Sequence, residues 1–214
     1  MSTKSPSFEI VEIQRGQLDD AVSILAQAFE NDPTTCYLFS GHEASISDRA
    51  WELYLYICEM HLANGYAIMG AMSDSRLVGV SCIQPPDIES QPNPEPSQYE
   101  MRFGAFIGEQ VMQRVMKYAQ VTSEHIPDES HFYLTALGVH PDEQRKGYAR
   151  ALLNAVHELS NAYPTSIGVS LDTGNRANVP MYEYFGYRIV AKTKLKELDL
   201  WCMFRPNEAQ ITKM

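Results

Sequence analysis

Residues 132–149 read F-Y-L-T-A-L-G-V-H-P-D-E-Q-R-K-G-Y-A, an almost continuous apolar run followed by a polar turn. The apolar run, Phe132–Val139, predicts a strand at the centre of a sheet, because it leaves no polar face for solvent. The H-P-D sequence at 140–142 breaks the strand, and apolar residues at helical spacing continue to about Ala162. The segment therefore predicts a central strand, a turn and an amphipathic helix.

The rest of the chain predicts a mixed α/β sheet around this unit. The order is a strand, two helices, a hairpin, a helix, the central strand and its helix, a strand, a short helix and two strands, which makes the first half of the sheet antiparallel. Strands are predicted at residues 8–14, 66–71, 77–83, 132–139, 167–171, 187–191 and 198–204, and the other helices at 18–29, 47–63, 99–119 and 179–185.

All 214 residues are interpreted as a single domain, about seven strands flanked by helices. Residues 84–97 contain five prolines and predict an exposed loop, not a domain boundary. In the helix after the turn, the predicted buried stripe includes Leu152, Val156 and Leu159.

Composition limits the possible partners. Seventeen basic residues against 27 acidic ones give a net charge of −10, which disfavours binding to nucleic acid or to anionic membrane. An anionic ligand must therefore be bound by local groups, because the overall charge of the chain opposes its binding. The six histidines lack ligand spacing, so no metal is expected.

The cysteines and the hydropathy of the chain indicate a compartment. The four cysteines lie in apolar contexts and form no C-x-x-C pair, so they are predicted to be buried free thiols in a reducing environment; they are Cys36, Cys58, Cys82 and Cys202. No apolar run approaches the ~20 residues that span a bilayer, and no signal peptide is recognisable. A cytosolic or nuclear protein, either monomeric or homodimeric, is expected.

The turn at residues 144–149 carries the first functional signal. A helix N-terminus presents unpaired N–H groups that suit a pyrophosphate. Gly147 lets the backbone approach a ligand closely, while Arg145 and Lys146 add local positive charge. Taken alone, this short string is better explained as an ordinary strand-to-helix loop with a solvated basic pair.

The context of the turn resembles a known family. Within residues 137–153, Gln144, Gly147 and Ala149 match the acetyl-CoA signature Q/R-x-x-G-x-G/A of the GCN5-related N-acetyltransferase (GNAT) superfamily. Residues 171–187, L-D-T-G-N-R-A-N-V-P-M-Y-E-Y-F-G-Y, resemble its second signature, with Asn178 and Tyr182 at the expected places. The order of the two signatures is also that of the superfamily.

Three further segments are similar to the branch typified by puromycin N-acetyltransferase. They are A-F-E-N-D-P at 28–33, H-F-Y-L at 131–134 and L-W-C-M-F-R at 200–205. With them the resemblance spans nearly the whole chain.

The resemblance implies the GNAT fold, in which strands 4 and 5 splay apart and pantetheine pairs with the free strand edge. It implies acetyl-CoA as cosubstrate. The cofactor-binding residues carried over are Leu137, Gly138, Val139, Gln144, Arg145, Lys146, Gly147, Tyr148, Ala149 and Asn178. Asn178 is also a reasonable N-cap for the short helix, and the two central strands, judged by composition alone, could be ordinary core strands.

The resemblance also implies catalytic roles. Tyr182 matches the general acid that protonates the leaving thiolate, although a core-packing tyrosine is the alternative. A backbone N–H near Val139 would stabilise the oxyanion. His131 is a candidate general base, although a histidine at a strand start is more often structural.

Three carboxylates complete the set of candidate residues. Glu30 and Asp32 lie where the superfamily builds its acceptor pocket, and they could bind a cationic amine or simply terminate the helix. Asp172 is a further candidate base.

The leading expectation is acetylation of a primary amine on a small molecule such as a xenobiotic, an antibiotic or a secondary metabolite. Acetylation of a protein N-terminus or lysine, and a non-catalytic acyl-CoA-binding module, remain as alternatives. The acidic residues Asp87, Glu89 and Glu95 of the proline-rich segment favour a cationic acceptor.

Overall fold

The computed structural model describes residues 8–86 and 96–208. Seven strands form one sheet: β1 (Phe8–Glu12), β2 (Ile68–Ser73), β3 (Arg76–Gln84), β4 (Phe132–Val139), β5 (Gly168–Thr173), β6 (Arg188–Leu195) and β7 (Leu198–Pro206). Six α-helices accompany them: α1 (Leu18–Phe29), α2 (Pro33–Leu38), α3 (Ile46–Ala63), α4 (Gln98–Ser123), α5 (Tyr148–Ala162) and α6 (Val179–Tyr184).

The strand order is β1-β2-β3-β4-β5-β7-β6. Only β4 and β5 are parallel neighbours, and every other adjacent pair is antiparallel. The mixed sheet predicted from the order of elements is therefore confirmed.

The two parallel strands diverge soon after they begin. β4 and β5 pair only at Phe132–Val169 and Tyr133–Ser170, although β4 continues to Val139 and β5 to Thr173. Each strand keeps its other neighbour over most of its length. The sheet therefore opens as a V at the C-terminal ends of its two central strands, as the resemblance implied.

β4 contains one extra residue. Cys82 pairs with Ala136 but Ile83 pairs with Leu134, so Thr135 is a β-bulge on β4. The bulge reverses the alternation of the strand. Before it, Leu134 packs in the core on the α5 side, and after it, Ala136 packs in the core with α1 and α3.

Helices cover both faces of the sheet. α1, α3 and α4 pack on one face around Leu25, Tyr54 and Phe103. α5 and α6 pack on the other face around Leu153, Val156 and Tyr182. In α5, Leu159 is exposed instead of buried, because the inward stripe continues through His157 and Ser160.

Three features differ from the sequence-based expectations. No helix was predicted between residues 29 and 47, but Pro33 occupies the first turn of α2, where its missing N–H costs nothing. α4 is longer than predicted and is interrupted at Gly108, where φ is 64°. Cys36 on α2 is exposed, unlike the other three cysteines. Most of the proline-rich segment, residues 87–95, lies outside the described residues.

Candidate active site

A cavity of about 680 Å³ lies where β4 and β5 part. One wall comes from the open strands, residues 133–137 and 171–174, and the opposite wall from α1 to α4. Aromatic side chains supply much of the lining: Phe29, Tyr54, Tyr56, Phe103, Tyr118, Tyr133 and Tyr182. The cavity therefore joins the gap between the strands to a pocket under the helices.

The charged lining of the cavity is acidic. Among the described residues that line it there is no lysine or arginine, whereas four carboxylates do so: Asp32, Asp128, Glu129 and Asp172. Asp128 and Glu129 are exposed at the rim, and Asp172 lies deeper. Such a lining favours a cationic ligand over an anionic one.

Asp172 forms the centre of a partly buried hydrogen-bonded cluster. The hydroxyls of Tyr118 and Tyr133 both donate to its carboxylate. Burial raises the pKa of Asp172, the two phenol donors act in the opposite direction, and the charge of Asp32 raises it further. Because both carboxylate oxygens are engaged, the group is fixed in position.

Asp32 faces the same cavity and also caps α2. Its Oδ1 accepts from the N–H of Thr34 at 2.9 Å, which explains why a helix begins there. Burial raises the pKa of Asp32, while the hydrogen bonds from Thr34 and Thr35 lower it. Glu30, by contrast, does not line the cavity; its carboxylate accepts from the hydroxyl of Ser47 on α3. The structure therefore brings only one of these two candidates to the pocket.

Tyr182 projects from α6 into the cavity wall. It is 8% exposed and packs edge-on against Tyr187, with ring centroids 5.6 Å apart. Its hydroxyl has no hydrogen-bond partner among the described residues. Burial raises its pKa, and the charges of Asp172 and Asp32 raise it further, so Tyr182 is protonated at neutral pH. Tyr184, two residues later on α6, is 70% exposed and points elsewhere.

Two other candidates lie at the edges of the cavity. The Nδ1 of His131 lies 2.6 Å from the carbonyl oxygen of Glu129, so Nδ1 carries the proton in the neutral ring and Nε2 has the lone pair. Asn178 lines the cavity, and although it is the N-cap residue of α6, its side chain makes no capping hydrogen bond.

One residue pair was not found by sequence reasoning. His61 of α3 is fully buried, and its Nε2 lies 3.3 Å from Oγ1 of Thr135, the bulge residue that lines the cavity. His61 continues the inward face of α3 three residues after Cys58. That spacing was the available signal, but nothing in the sequence connected it with Thr135.

The turn before α5 has a backbone conformation suited to binding an anion. Arg145 and Gly147 both have positive φ, 64° and 96°. α5 then begins with no side-chain cap, so the N–H groups of its first turn have no protein partner among the described residues. A Cβ at position 147 would meet no protein atom within 4 Å, so the space above the glycine is open.

The side chains of this turn differ in how far they are already paired. Lys146 donates to Glu143 at 2.7 Å, which raises the pKa of Lys146 and lowers that of Glu143. Gln144 points back to the strand, where its Nε2 lies 3.4 Å from the carbonyl oxygen of Val139. Arg145 is exposed and has no ion-pair partner among the described residues.

The free edge of β4 can be assigned residue by residue. The N–H of His140 donates to Val78 of β3 at 2.9 Å. Antiparallel pairs alternate, so Gly138 also faces β3, whereas the N–H and C=O groups of Leu137 and Val139 face the gap. Gly138 is packed under α1, where a Cβ would lie 2.9 Å from Leu25. Leu137 lines the cavity, but Gly138 and Val139 do not.

Two kinds of feature are absent from the described part of the chain. No group of three or more histidine, cysteine or carboxylate side chains there could hold a metal ion. No helix in those residues is long and apolar enough to cross a membrane.

Known structures share this architecture. One is described as histone acetyltransferase HPA2 and related acetyltransferase from Corynebacterium glutamicum; it is 19% identical, covers 95% of this chain and 97% of its own, and has a TM-score of 0.69. Arylalkylamine N-acetyltransferase 2 from Aedes aegypti is 13% identical, covers 94% and 99%, and has a TM-score of 0.63. The ribosomal-protein-S18-alanine N-acetyltransferase from Escherichia coli is 14% identical over 94% of both chains, with a TM-score of 0.53.

A family model agrees with the fold. Residues 105–189 match the model described as acetyltransferase (GNAT) domain, and this span contains β4, the turn, α5, β5 and α6. It therefore includes both signatures and the V-shaped opening. The described chain therefore has the GNAT fold, and residues 105–189, less than half of its length, are similar to a GNAT acetyltransferase domain.

Proposed function

We propose that the chain transfers acetyl from acetyl-CoA to the primary amine of a small, positively charged molecule. One observation carries the acceptor part of this proposal. The cavity beside the open edge of β4 is aromatic and acidic, with Asp32 and Asp172 partly buried in its wall and no lysine or arginine among its described lining residues.

The turn and the open strand edge support the proposed cofactor site. The pyrophosphate would be bound by the N–H groups of Gly147, Tyr148 and Ala149 at the start of α5, where the helix dipole favours negative charge. Arg145 would add charge, whereas Lys146 is already paired with Glu143 and would add less.

Pantetheine would lie between β4 and β5. Its amides would pair with the groups of Leu137 and Val139 that face the gap, which is addition of a strand by a ligand. Asn178, whose side chain is not used as a cap, would contact the cofactor from α6. Gln144 would support this edge through the carbonyl of Val139.

Asp172 would hold the acceptor near the thioester. An ammonium group beside a carboxylate that is buried and fixed by two tyrosines gains a charge-assisted hydrogen bond in a place with little water. Asp32 would add attraction from the far wall. Both side chains carry structural hydrogen bonds already, so they attract the cation without moving.

The reaction would then proceed by direct attack in a ternary complex. His131, through water, would take the amine proton, since its Nε2 has the lone pair. The neutral amine would attack the thioester carbon, and a backbone N–H of the open β4 edge would stabilise the oxyanion. The second proton lost by the attacking nitrogen would replace, through water, the one that Tyr182 gives to the departing thiolate. Leu137 is the better candidate for this N–H than Val139, because Leu137 lines the cavity.

Tyr182 would protonate the departing thiolate of coenzyme A. Its pKa is raised partly by Asp172 and Asp32. A bound cation offsets those charges and makes the phenol more acidic when the acceptor is present. Proton donation would thus be favoured in the ternary complex over the binary one.

The resemblance of three segments to the puromycin N-acetyltransferase branch suggests which acceptors to test. Two of its segments contribute to the cavity, through Asp32 in residues 28–33 and through Tyr133 in residues 131–134. We include aminonucleosides among the acceptors to be tested for this reason.

A thiol-release assay tests the proposal. Acetyl-CoA is offered with primary amines that are cationic away from the reacting nitrogen, with neutral aminoalcohols of similar size, with aminonucleosides and with peptides carrying a free N-terminus. We expect amine-dependent release of coenzyme A, fastest with the cationic small molecules. Release with peptides alone would indicate a protein acetyltransferase. Binding of acetyl-CoA without release for any acceptor would refute the proposed transfer.

A further inference from the structure

A histidine that the proposed mechanism does not use lies directly behind the cavity wall. His61 is 0% exposed, between the carbonyl of Ile57 one turn earlier in α3 and the hydroxyl of Thr135 on β4. Tyr66 packs edge-on against its ring, with centroids 5.7 Å apart. The imidazole is therefore held in one orientation, with its Nε2 next to Thr135, which lines the cavity.

The hydrogen bonds of His61 define its protonation. Its Nδ1 lies 2.8 Å from the carbonyl oxygen of Ile57, which can only accept, so Nδ1 carries a hydrogen. Burial lowers the pKa of His61 to about 4, so the ring is neutral at neutral pH. The remaining nitrogen, Nε2, then has a lone pair and accepts from Thr135.

This arrangement determines how Thr135 faces the cavity. A threonine hydroxyl has one hydrogen and two lone pairs. When the hydrogen is directed to Nε2 of His61, only the lone pairs are available to a ligand. Thr135 thus becomes an acceptor of hydrogen bonds from whatever occupies the cavity.

The position of Thr135 fits such a contact. It is the extra residue of the β4 bulge, and it lies two residues before Leu137, whose N–H faces the gap. A bulge redirects a side chain and interrupts the ladder. Here it places a hydroxyl in the cavity wall at the level where the two strands have already separated.

We propose that Thr135, held as an acceptor by His61, takes a hydrogen bond from the acceptor amine and thereby directs the amine lone pair at the thioester. This inference rests on the proposed function, because it assumes an amine in the cavity. Thr135 contacts the substrate. His61 acts through Thr135 and is a positioning residue.

The first test compares two substitutions of Thr135. Thr135→Val keeps the shape and removes the hydroxyl, whereas Thr135→Ser keeps the hydroxyl. With the best amine found in the panel, we expect kcat/KM for the amine to fall about 10-fold in the valine variant, since one neutral hydrogen bond is lost. The serine variant is expected to stay within about 3-fold of wild type. The Kd for coenzyme A should be unchanged in both.

The second test compares two substitutions of His61. His61→Gln offers an acceptor oxygen near the position of Nε2, whereas His61→Asn retains only a group near Nδ1. We expect the asparagine variant to lose as much kcat/KM as Thr135→Val and the glutamine variant to recover part of it. The double variant Thr135→Val/His61→Asn should be no worse than the poorer single variant, because both remove one interaction.

Several results would overturn the inference. They are wild-type kcat/KM in Thr135→Val, equal losses in the valine and serine variants, or losses that multiply in the double variant. The comparison at Thr135 stands even if a His61 variant folds poorly, and coenzyme A binding reports on folding in each case. A wild-type protein that binds acetyl-CoA and acetylates no amine would refute the proposed function instead.

Discussion

The turn before α5 and the cavity under α1 to α4 are built in opposite ways. The turn is local: six consecutive residues, two of them at positive φ, expose the N–H groups of a helix start. The cavity is assembled from distant side chains, since Asp172 is bonded to tyrosines 39 and 54 residues away. A binding site formed by consecutive backbone groups can be recognised from a short stretch of sequence. A cluster of side chains that are distant in the sequence can be recognised only in the folded structure.

Because the turn and the cavity are separate, substitutions in them should affect different properties. Substitutions at the turn should change cofactor affinity and leave amine recognition intact. Substitutions in the cavity should do the reverse. The four predictions that follow test this separation, beginning with the largest expected effect.

Removing the hydroxyl of Tyr182 should have the largest effect on chemistry. In Tyr182→Phe we expect kcat to fall by about 100-fold or more, because the general acid is lost, while the Kd for coenzyme A stays within about 2-fold. Stopped-flow thiol release and calorimetry measure the two quantities. Tyr184→Phe, on the exposed side of α6, is the matched control and should behave as wild type. Equal turnover in the two variants would exclude the assigned role.

Neutralising Asp172 should come next. Asp172→Asn is expected to lower kcat/KM for a cationic amine by about 10- to 100-fold, through loss of a charge-assisted hydrogen bond, with a smaller loss for a neutral amine. Asp128→Asn at the exposed rim serves as control and should change kcat/KM far less. If the neutral and the cationic amine lose equally, Asp172 does not recognise charge.

Adding one methyl group at the turn should weaken the binding of coenzyme A and leave the recognition of the amine unchanged. In free Gly147→Ala the backbone relaxes away from φ 96°, and binding has to restore that angle at a cost of about 1–2 kcal/mol, so we expect the Kd for coenzyme A to rise about 10-fold. Gly16→Ala adds a methyl in open space without positive φ and is the control. An unchanged Kd would show that the turn does not cradle the pyrophosphate.

The buried carboxylates should leave a small signature in the pH dependence of stability. The pKa of Asp172 is raised in the folded protein above 3.8, so the folded state binds more protons than the unfolded state just above that pH. The free energy of unfolding of wild type, relative to Asp172→Asn, should therefore decrease as pH rises from 4 and then level off. Urea titrations between pH 4 and 7 measure it, and a relative stability that rises with pH would contradict the assigned shift.

Sequence reasoning located regular elements with a clear apolar pattern. α1 and β4 have the bounds predicted, because α1 has one apolar stripe and β4 is an almost continuous apolar run. It missed α2 and the break at Gly108, where a proline and a glycine act through backbone geometry that composition does not reveal. It also placed Leu159 inside, although the helix turns that residue toward solvent.

Some residues of the candidate site could likewise be predicted from the sequence, and others could not. Gln144, Gly147 and Tyr182 became candidates from the sequence because family signatures are contiguous strings, and their roles stay predictions. Glu30 and Asp32 were indistinguishable in the sequence, and only the fold separated them, by turning Asp32 into the cavity and Glu30 toward Ser47. The link between His61 and Thr135, 74 residues apart, has no sequence signal at all.

The central claim is that coenzyme A completes the open edge of β4. Amide hydrogen exchange at single residues, measured by NMR with and without coenzyme A, tests it most directly. We expect the amides of Leu137 and Val139 to exchange quickly in the free protein and to be protected by coenzyme A. Gly138 and His140, which already face β3, should be protected in both states. Protection that is unchanged at Leu137 and Val139 when coenzyme A is bound would contradict the account.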